Sequence, residues 1–205
     1  MGTELTHVII LISLNVGFAL MALVYSYLTV SKSMWGDHRI QNKTRKKGSH
    51  LPRLPLVFGN LIAITALNCV GLYYFHDMFI NNSFFGLSIP FPAVVALEIL
   101  VLLVIDDFYF YFLHRLIHAN KFLYKKVHSV HHRNQIPMPI EYIYAHPVEW
   151  LLGMLGPICG ILLLQGITFY AFCGYFIVRT LHEMLIHSGI KSSAFFKAIP
   201  FYGTN

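Results

Sequence analysis

Cysteine is scarce in this chain, and its few cysteines do not indicate a disulfide framework. Cys69, Cys159 and Cys173 each fall in an apolar stretch, where cysteine commonly behaves as a small hydrophobic residue. The sequence also lacks an internal repeat and a low-complexity tract. Apolar residues, in contrast, make up 56% of its 205 positions, and its mean hydropathy is positive. This length and composition favour one domain placed in a membrane.

Positive charge is absent from the amino terminus. Met1 to His7 contains Glu4 but no lysine or arginine, and no A-x-A-like cleavage site follows the apolar run from Val8 to Val30. A cleavable signal peptide has a positively charged amino-terminal region and such a cleavage site. The run is uncharged and matches the length of ~20 residues that crosses a bilayer. We therefore expect a transmembrane helix that stays attached.

Further apolar stretches predict an all-α, integral membrane bundle of about four transmembrane helices. Pro52 and Pro55 suit the start of the second helix, and Glu98 is the one charge inside the third. A carboxylate within a span is a functional candidate, although pairing with a neighbouring helix is an equal alternative. Small residues in the next stretch permit close helix contact, so the last two stretches predict a tight or re-entrant hairpin. The stretches after the first are 54–75, 91–105, 148–164 and 167–186.

Lysine and arginine are also absent from the segment 76–89, and this absence bears on topology. Seven lie in 32–53 and five in 115–133. By the positive-inside rule, the two basic segments face the cytosol. Basic residues beside a membrane set orientation and attract anionic lipid head groups. The net charge of +6 therefore does not indicate a nucleic-acid partner.

Histidines form two clusters in the carboxyl-terminal half. His114 and His118 are four residues apart, and His128, His131 and His132 follow. Residues three and four apart share a helix face, with Cβ atoms roughly 5–6 Å apart, and imidazole suits iron, zinc or copper. Five imidazoles exceed what one tetrahedral zinc needs. They predict a dinuclear metal site on the cytosolic side, just outside the lipid.

Three more histidines are candidates for the same site. His182 and His187 are five apart and diverge by roughly 140° on an ideal helix, so His187 is the stronger candidate unless the helix ends there; His146 lies between the groups. The zinc-protease signature H-E-x-x-H requires two histidines four residues apart. Glu183 follows His182, but the next histidine is His187, five residues after His182, so the signature is absent. The histidines without a partner at helical spacing are interpreted as bystanders: His7, His38, His50 and His76.

Carboxylates near the histidines are candidates to accept hydrogen bonds from the outer N–H groups of metal-ligating imidazoles. The alternative for each is an interfacial or helix-capping carboxylate. These carboxylates are Asp106, Asp107, Glu149 and Glu183.

The order of the motifs carries a family resemblance. The run DDFYFYFLHRLIH at 106–118, then HSVHH at 128–132, AHPVE at 145–149 and HSG at 187–189 resemble the fatty acid hydroxylase/sterol desaturase superfamily. The similarity is greatest to its C4-methylsterol oxidase and cholesterol 25-hydroxylase branch. It covers Asp106 to the end, about half the chain.

The resemblance implies an integral, multi-pass membrane mono-oxygenase, in the endoplasmic reticulum if the organism is eukaryotic. Such enzymes hold a histidine-ligated di-iron centre, take electrons from NAD(P)H through cytochrome b5 or a similar carrier, and use O2 to hydroxylate or desaturate a lipid such as a sterol or fatty acid. The resemblance also implies a role for His146, as a ligand or in shaping the site, whereas members of the sterol branch generally lack a histidine at the position of His182. The iron ligands that the resemblance implies are His114, His118, His128, His131, His132 and His187, with His182 as a further candidate.

The chain departs from the family pattern at its end. Members of this branch continue from a segment like 199–203 into an HHDxHH-like motif, whereas this sequence stops at Asn205. We therefore expect a truncated chain with little hydroxylase activity by itself, organised as a membrane helix and basic linker (1–53) and an incomplete hydroxylase-like membrane domain (54–205). Alternative functions are a non-catalytic membrane scaffold and a histidine-lined metal-binding or transport protein.

Overall fold

The computed structural model describes residues 2–30, 48–79, 91–133 and 136–191, and every regular element in these ranges is helical. We number the main helices α1 to α7, and α4 covers 121–132 in three consecutive pieces. Short 3-10 helices lie at Leu51–Arg53, His76–Phe79 and Pro139–Ile143. The main helices are α1 Gly2–Val30, α2 Leu54–Tyr74, α3 Phe91–Ala119, α4 (Lys121–Leu123, Tyr124–His128 and Ser129–His132), α5 Pro147–Gly153, α6 Leu155–Leu163 and α7 Phe169–Ile186.

Two helices are long and apolar enough to cross a membrane, over Gly2–Thr29 and Leu51–Tyr74. Only 28% and 17% of their most apolar windows are buried, so neither is the enclosed core helix of a water-soluble domain. Exposed apolar faces of this extent mark contact with lipid or another protein. The predicted all-α fold with membrane-spanning helices is confirmed to this extent. A count of four spans and a cytosolic histidine site stay predictions, and most of the basic linker lies outside the described residues.

Glycines let α6 and α7 approach α3 closely. A Cβ atom on Gly156 would meet the Asp106 carboxylate, and one on Gly160 would lie 2.8 Å from the Leu102 side chain. A Cβ atom on Gly174 would meet Ile99 in the same way. Small residues are the usual means by which membrane helices pack at short range. This packing fixes α3, and therefore its histidines, against the last two helices.

Glu98 is buried within α3 and pairs with the start of α7. Its Oε2 accepts hydrogen bonds from the Thr168 backbone N–H at 2.9 Å and from the Thr168 hydroxyl at 2.8 Å. The Thr168 hydroxyl oxygen in turn accepts from the Ala171 N–H at 3.0 Å, as an N-cap does. Of the two sequence interpretations of Glu98, the contacts support the helix partner.

The segment around Pro139–Ile143 is tied to the first two helices by polar contacts. The Arg53 guanidinium lies 2.9 Å from the fully buried Glu141 carboxylate, and the Asn60 amide donates to the carbonyls of Ile143 and Ala145 at 3.0 and 2.8 Å. These contacts hold the segment at the end of the bundle where the histidines lie.

Candidate metal centre

The last turns of α3 present His114 and His118 on one face. Their ring centroids lie 4.6 Å apart, as expected for residues four apart on a helix. His114 is half-buried and His118 is exposed. Asn120 then stops α3 and caps α4, because its side-chain oxygen accepts from the N–H groups of Phe122 and Leu123. The chain therefore reverses immediately after the first histidine pair.

A π-helical turn at Tyr124–His128 sets the direction of the second histidine cluster. The Ser129 N–H donates to the Tyr124 carbonyl, an i to i+5 hydrogen bond that adds one residue to the turn. Such turns occur frequently at functional sites. The insertion places His128 inside the protein, fully buried, with His132 beside it. Sequence periodicity predicted an ordinary helix face here, and nothing in the residue spacing indicates the extra residue.

His128 is the centre of the cluster. Its Nε2 lies 3.0 Å from the Nε2 of His118 and 2.9 Å from the Nε2 of His132. Ligand atoms of His114, His118 and His128 all lie within 4.8 Å of one another. Two nitrogens bound at right angles to one ion at about 2.1 Å would stand about 3.0 Å apart. The observed separations therefore match adjacent positions around a single metal ion.

Glu149 orients the central imidazole from behind. Its Oε1 lies 2.8 Å from the Nδ1 of His128, and both side chains are buried. A carboxylate at this position accepts a hydrogen bond from Nδ1–H and so keeps the proton on Nδ1, which leaves Nε2 with its lone pair directed at the cluster. Glu149 was one of four carboxylates predicted from sequence to play this part, and the structure places it on His128.

The environment favours the neutral form of three of the histidines. Burial, together with repulsion from His128 and His118, lowers the pKa of His114 from 6.5 to about 4. Burial also lowers the pKa of His131, with His187 contributing, and that of His132, with His128 contributing. Neutral imidazole is the form that binds a metal. The site is therefore prepared for metal binding at neutral pH.

A second pair of histidines faces a cavity beside this group. His131 and His187 have perpendicular rings with centroids 5.4 Å apart, and both line a cavity of about 320 Å³ that also contacts Glu183. The Nδ1 of His187 donates to the Glu183 carbonyl at 2.7 Å, so its Nε2 carries the lone pair. Helix α7 ends at Ile186, immediately before His187.

The other two histidines predicted as metal ligands, His146 and His182, lie away from the cluster. His146 caps α5, because its Nδ1 accepts from the Val148 N–H at 3.2 Å. His182 lies on α7, half-buried, and does not line the histidine cavity. Neither is brought to the cluster in the part of the chain that the structure describes.

A largely buried ion network lies on α3 and α7 near the histidines, with the Asp106 side chain 4% exposed and those of Arg179 and Glu183 20% and 21% exposed. Asp106 accepts hydrogen bonds from the Tyr175 hydroxyl at 2.8 Å and from Arg179 Nε at 3.0 Å. Arg179 Nη1 lies 2.8 Å from Glu183, and Asp107 interacts with the same guanidinium through its charge. Sequence reasoning missed Tyr175 and Arg179, because the pairing joins helices more than sixty residues apart in the chain.

The donor set fits a first-row transition metal. All the candidate ligands are imidazoles, which suit iron, zinc and copper and do not suit magnesium or calcium. Fold and site together define an all-helical protein with a multi-histidine centre. A family model described as fatty acid hydroxylase matches residues 99–204, just over half of the sequence, and the chain belongs to this family. The family predicted from the motifs is confirmed.

Several curated proteins are similar to this chain. Methylsterol monooxygenase 1 of Rattus norvegicus is 36% identical over 134 residues, which are 65% of this chain and 44% of that protein. Very-long-chain aldehyde decarbonylase GL1-9 of Oryza sativa subsp. indica is 32% identical over 141 residues, 66% of this chain and 54% of the relative. The chain thus spans about half the length of the curated relatives it matches. No solved structure matches it significantly.

Replacing Glu149 with glutamine is expected to weaken metal binding by about 10–100-fold, the usual cost of losing a partner behind a ligating histidine. Glutamine keeps the size but loses the charge that holds the Nδ1 proton. Titration of the purified, metal-free protein with Fe²⁺ or Zn²⁺ measures the change. Asp77→Asn removes an equally charged but fully exposed carboxylate beyond the far end of α2 and should leave affinity unchanged. Equal affinities for both variants would contradict the role of Glu149.

Proposed function

We propose that this protein is a membrane oxygenase that hydroxylates or desaturates a C–H bond of a lipid, of the sterol or fatty acid class. The observation that carries the proposal is the group of histidines around His128, set beside a cavity whose walls continue into the helix bundle. Membership of the fatty acid hydroxylase family supports the same chemistry. The monooxygenase and decarbonylase names of the relatives also describe reactions on lipids.

The proposed cofactor is a pair of iron ions. One would be held by His114, His118, His128 and His132, and a second by His131 and His187 with further ligands. Iron bound there would supply the oxidising power that activates O2. In the hydroxylation, one atom of O2 enters the C–H bond as an alcohol. The other leaves as water, using two protons and two electrons that NAD(P)H provides through cytochrome b5 or a similar carrier.

The protein's own residues hold and enclose the reactants. Glu149 fixes the tautomer of His128, and the Glu183 carbonyl does the same for His187. Apolar side chains of α7, among them Phe172 and Phe176, line the adjoining cavity and would receive a hydrocarbon while they exclude water. Orientation of the lipid and exclusion of competing reactions are the usual contributions of the protein in cofactor-dependent oxidation.

The proposed setting is a multi-pass protein of a bilayer with the histidines on the cytosolic side, in a eukaryote the endoplasmic reticulum. Exposed basic residues surround the histidine end on α3 and α4, namely Arg115, Lys121, Lys125, Lys126 and Arg133. Such residues favour the cytosolic side of a membrane. A water-soluble electron carrier would reach the exposed His118 and His132 from that side.

Oxygen labelling tests the proposed function. The protein is expressed at its native full length in membranes supplied with ¹⁸O₂, and extracted sterols and fatty acids are analysed by mass spectrometry. We expect an ¹⁸O-labelled or newly unsaturated lipid that disappears in a His114→Ala/His118→Ala double variant and persists in a His50→Ala control. A membrane fraction with iron-loaded protein and an active electron supply, yet no change in any lipid, would overturn the proposal.

A further inference from the structure

A second cavity adjoins the histidine cavity inside the bundle. Its volume is about 250 Å³, close to the lower end of the range of ~300–1,000 Å³ typical of small-molecule sites. Both cavities are bounded by Phe110, His131, Glu149 and Glu183. A molecule in the inner cavity therefore has one end at the histidines and the other between α1, α2 and α7.

Two carboxamides interrupt the apolar walls of the inner cavity. Asn15 of α1 and Asn68 of α2 both line it. The helices pack so that Leu11 and Leu72 share one buried cluster while Ala22 and Val57 share another. The helices thus run antiparallel, with the two asparagines at the same level. A polar patch therefore lies on the wall contributed by the two candidate membrane spans.

Asn68 is the member of this pair with free hydrogen-bonding capacity. The Asn15 amide donates to the Leu11 carbonyl of its own helix at 3.0 Å. Asn68 makes no hydrogen bond with any residue of the described ranges. A polar side chain inside a membrane span is costly unless it has a partner, and it marks a functional position by default. The cavity is the place from which a ligand would supply that partner.

The position of Asn68 sets the distance between the polar patch and the histidine end. Asn60, eight residues earlier on α2, binds the carbonyls of Ile143 and Ala145, in the segment that closes the histidine end. At a rise of 1.5 Å per residue, Asn68 lies about 12 Å deeper along the helix axis. A polar group of a ligand at Asn68 would therefore lie deeper in the bundle than the end of the ligand at the histidines.

The charges around the cavity favour a neutral polar group. Among the described residues, Arg179 is the one lysine or arginine side chain that lines it, and Asp106 and Glu183 already neutralise that guanidinium. No lysine or arginine of the described ranges lines the Asn68 wall to compensate a carboxylate. An amide offers one acceptor and two donors without charge, which matches a hydroxyl group. An ionised fatty acid head group would lack a counter-charge there.

We propose that Asn68 is a specificity-determining residue that hydrogen-bonds a neutral hydroxyl group on the lipid substrate, deeper in the bundle than the histidine end where the substrate reacts. The inference rests on the proposed function for the reaction itself, and on the cavity for the binding. Asn68 touches no histidine of the cluster, so its contribution is to substrate selection and depth of insertion.

Probe binding to the metal-free protein tests the proposal. Three probes of one chain length are compared in detergent or nanodiscs: 1-dodecanol, dodecane and dodecanoate. We expect the wild type to bind 1-dodecanol about 3–10-fold more tightly than dodecane, the gain of one net hydrogen bond of about 0.5–1.5 kcal/mol. Asn68→Leu, which keeps the volume but removes the amide, should abolish that preference and leave dodecane binding unchanged.

Controls separate this result from misfolding and from the proposed function. Ala66→Leu, on the exposed face of the same helix, should keep the preference for the alcohol. Retention of the preference in Asn68→Leu, equal binding of alcohol and alkane by the wild type, or dodecanoate binding as tightly as 1-dodecanol would each overturn the proposal. Binding is measured without iron, O2 or turnover, so failure here leaves the oxygen-labelling result intact, and the converse also holds.

Discussion

Replacing His128 with alanine is expected to abolish metal binding by the cluster. Its Nε2 is the atom that lies within 3.0 Å of both His118 and His132, and it joins ligands from α3 to ligands from α4. Removing a partner behind such a ligand costs about 10–100-fold in affinity. Loss of the central ligand itself should cost at least the upper end of that range. Metal content after dialysis and the affinity for Fe²⁺ measure the effect.

The control for this prediction is a variant of a histidine outside the cluster. His50→Ala removes an imidazole from the turn before α2, and wild-type metal content is expected to persist. Circular dichroism and thermal unfolding establish that His128→Ala retains its helices, and His128→Asn provides a variant that keeps a polar group against Glu149. Full metal content with unchanged affinity in both His128 variants would show that His128 is not a ligand.

The effect of His128→Ala also separates metal binding from folding. Glu149 Oε2 is already buried without a hydrogen-bond partner in the described part of the chain, and the variant leaves Oε1 in the same condition. Unpaired buried polar groups cost about 1–3 kcal/mol each. A fall in stability of this size is expected alongside metal loss. Protein that is destabilised but still holds metal would show that the His128–Glu149 pair contributes to folding and not to metal binding.

Helix boundaries near the membrane followed well from the sequence. The uncharged run from Val8 predicted a helix that in the structure covers Gly2–Val30, and the prolines at 52 and 55 predicted the start of α2 at Leu54. Both predictions rest on local properties, namely side-chain hydropathy over a bilayer length and the fixed φ of proline. Local properties are what a single sequence reports most directly.

The pairing of side chains between different helices was harder to predict from the sequence than the helices themselves. Sequence spacing placed Glu149 and Asp106 on equal terms, whereas the structure gives Glu149 to His128 and Asp106 to Tyr175 and Arg179. Periodicity identifies the face of a helix that a side chain occupies, but the neighbouring helix decides which partner it meets. The π turn before His128 had the same limitation, because a single inserted residue leaves no periodic signal.

Replacing Arg179 with methionine is expected to lower the free energy of unfolding by about 3–5 kcal/mol, the cost of breaking a buried ion pair on one side. The guanidinium lies between Asp106 and Glu183 at 3.0 and 2.8 Å and over the ring of Phe110 at 5.5 Å. Methionine retains much of the apolar stem but leaves two carboxylates without their cation. Unfolding in a fixed detergent, followed by circular dichroism, measures the loss.

Arg115→Met supplies the matched control for this charge removal. Arg115 is exposed near the end of α3, whereas Arg179 lies on α7, and the Arg115 guanidinium contacts the Tyr111 hydroxyl at 2.9 Å. Surface substitutions of this kind change stability by less than about 0.5 kcal/mol. Equal stability losses for the two arginine variants would contradict a special contribution of the buried network.

A double variant distinguishes the charge of the network from its packing. Replacement of a whole buried ion pair by apolar residues is often neutral, whereas removal of one partner is not. Arg179→Met combined with Asp106→Leu should therefore recover part of the stability lost in Arg179→Met alone, a positive coupling that a double-mutant cycle measures directly. The Glu183 carboxylate lies 2.8 Å from Arg179 and 3.6 Å from the Nδ1 of His187. If Arg179→Met also lowers metal affinity, and the double variant recovers stability but not affinity, the result would show that Arg179 orients the Glu183 end of the histidine cavity.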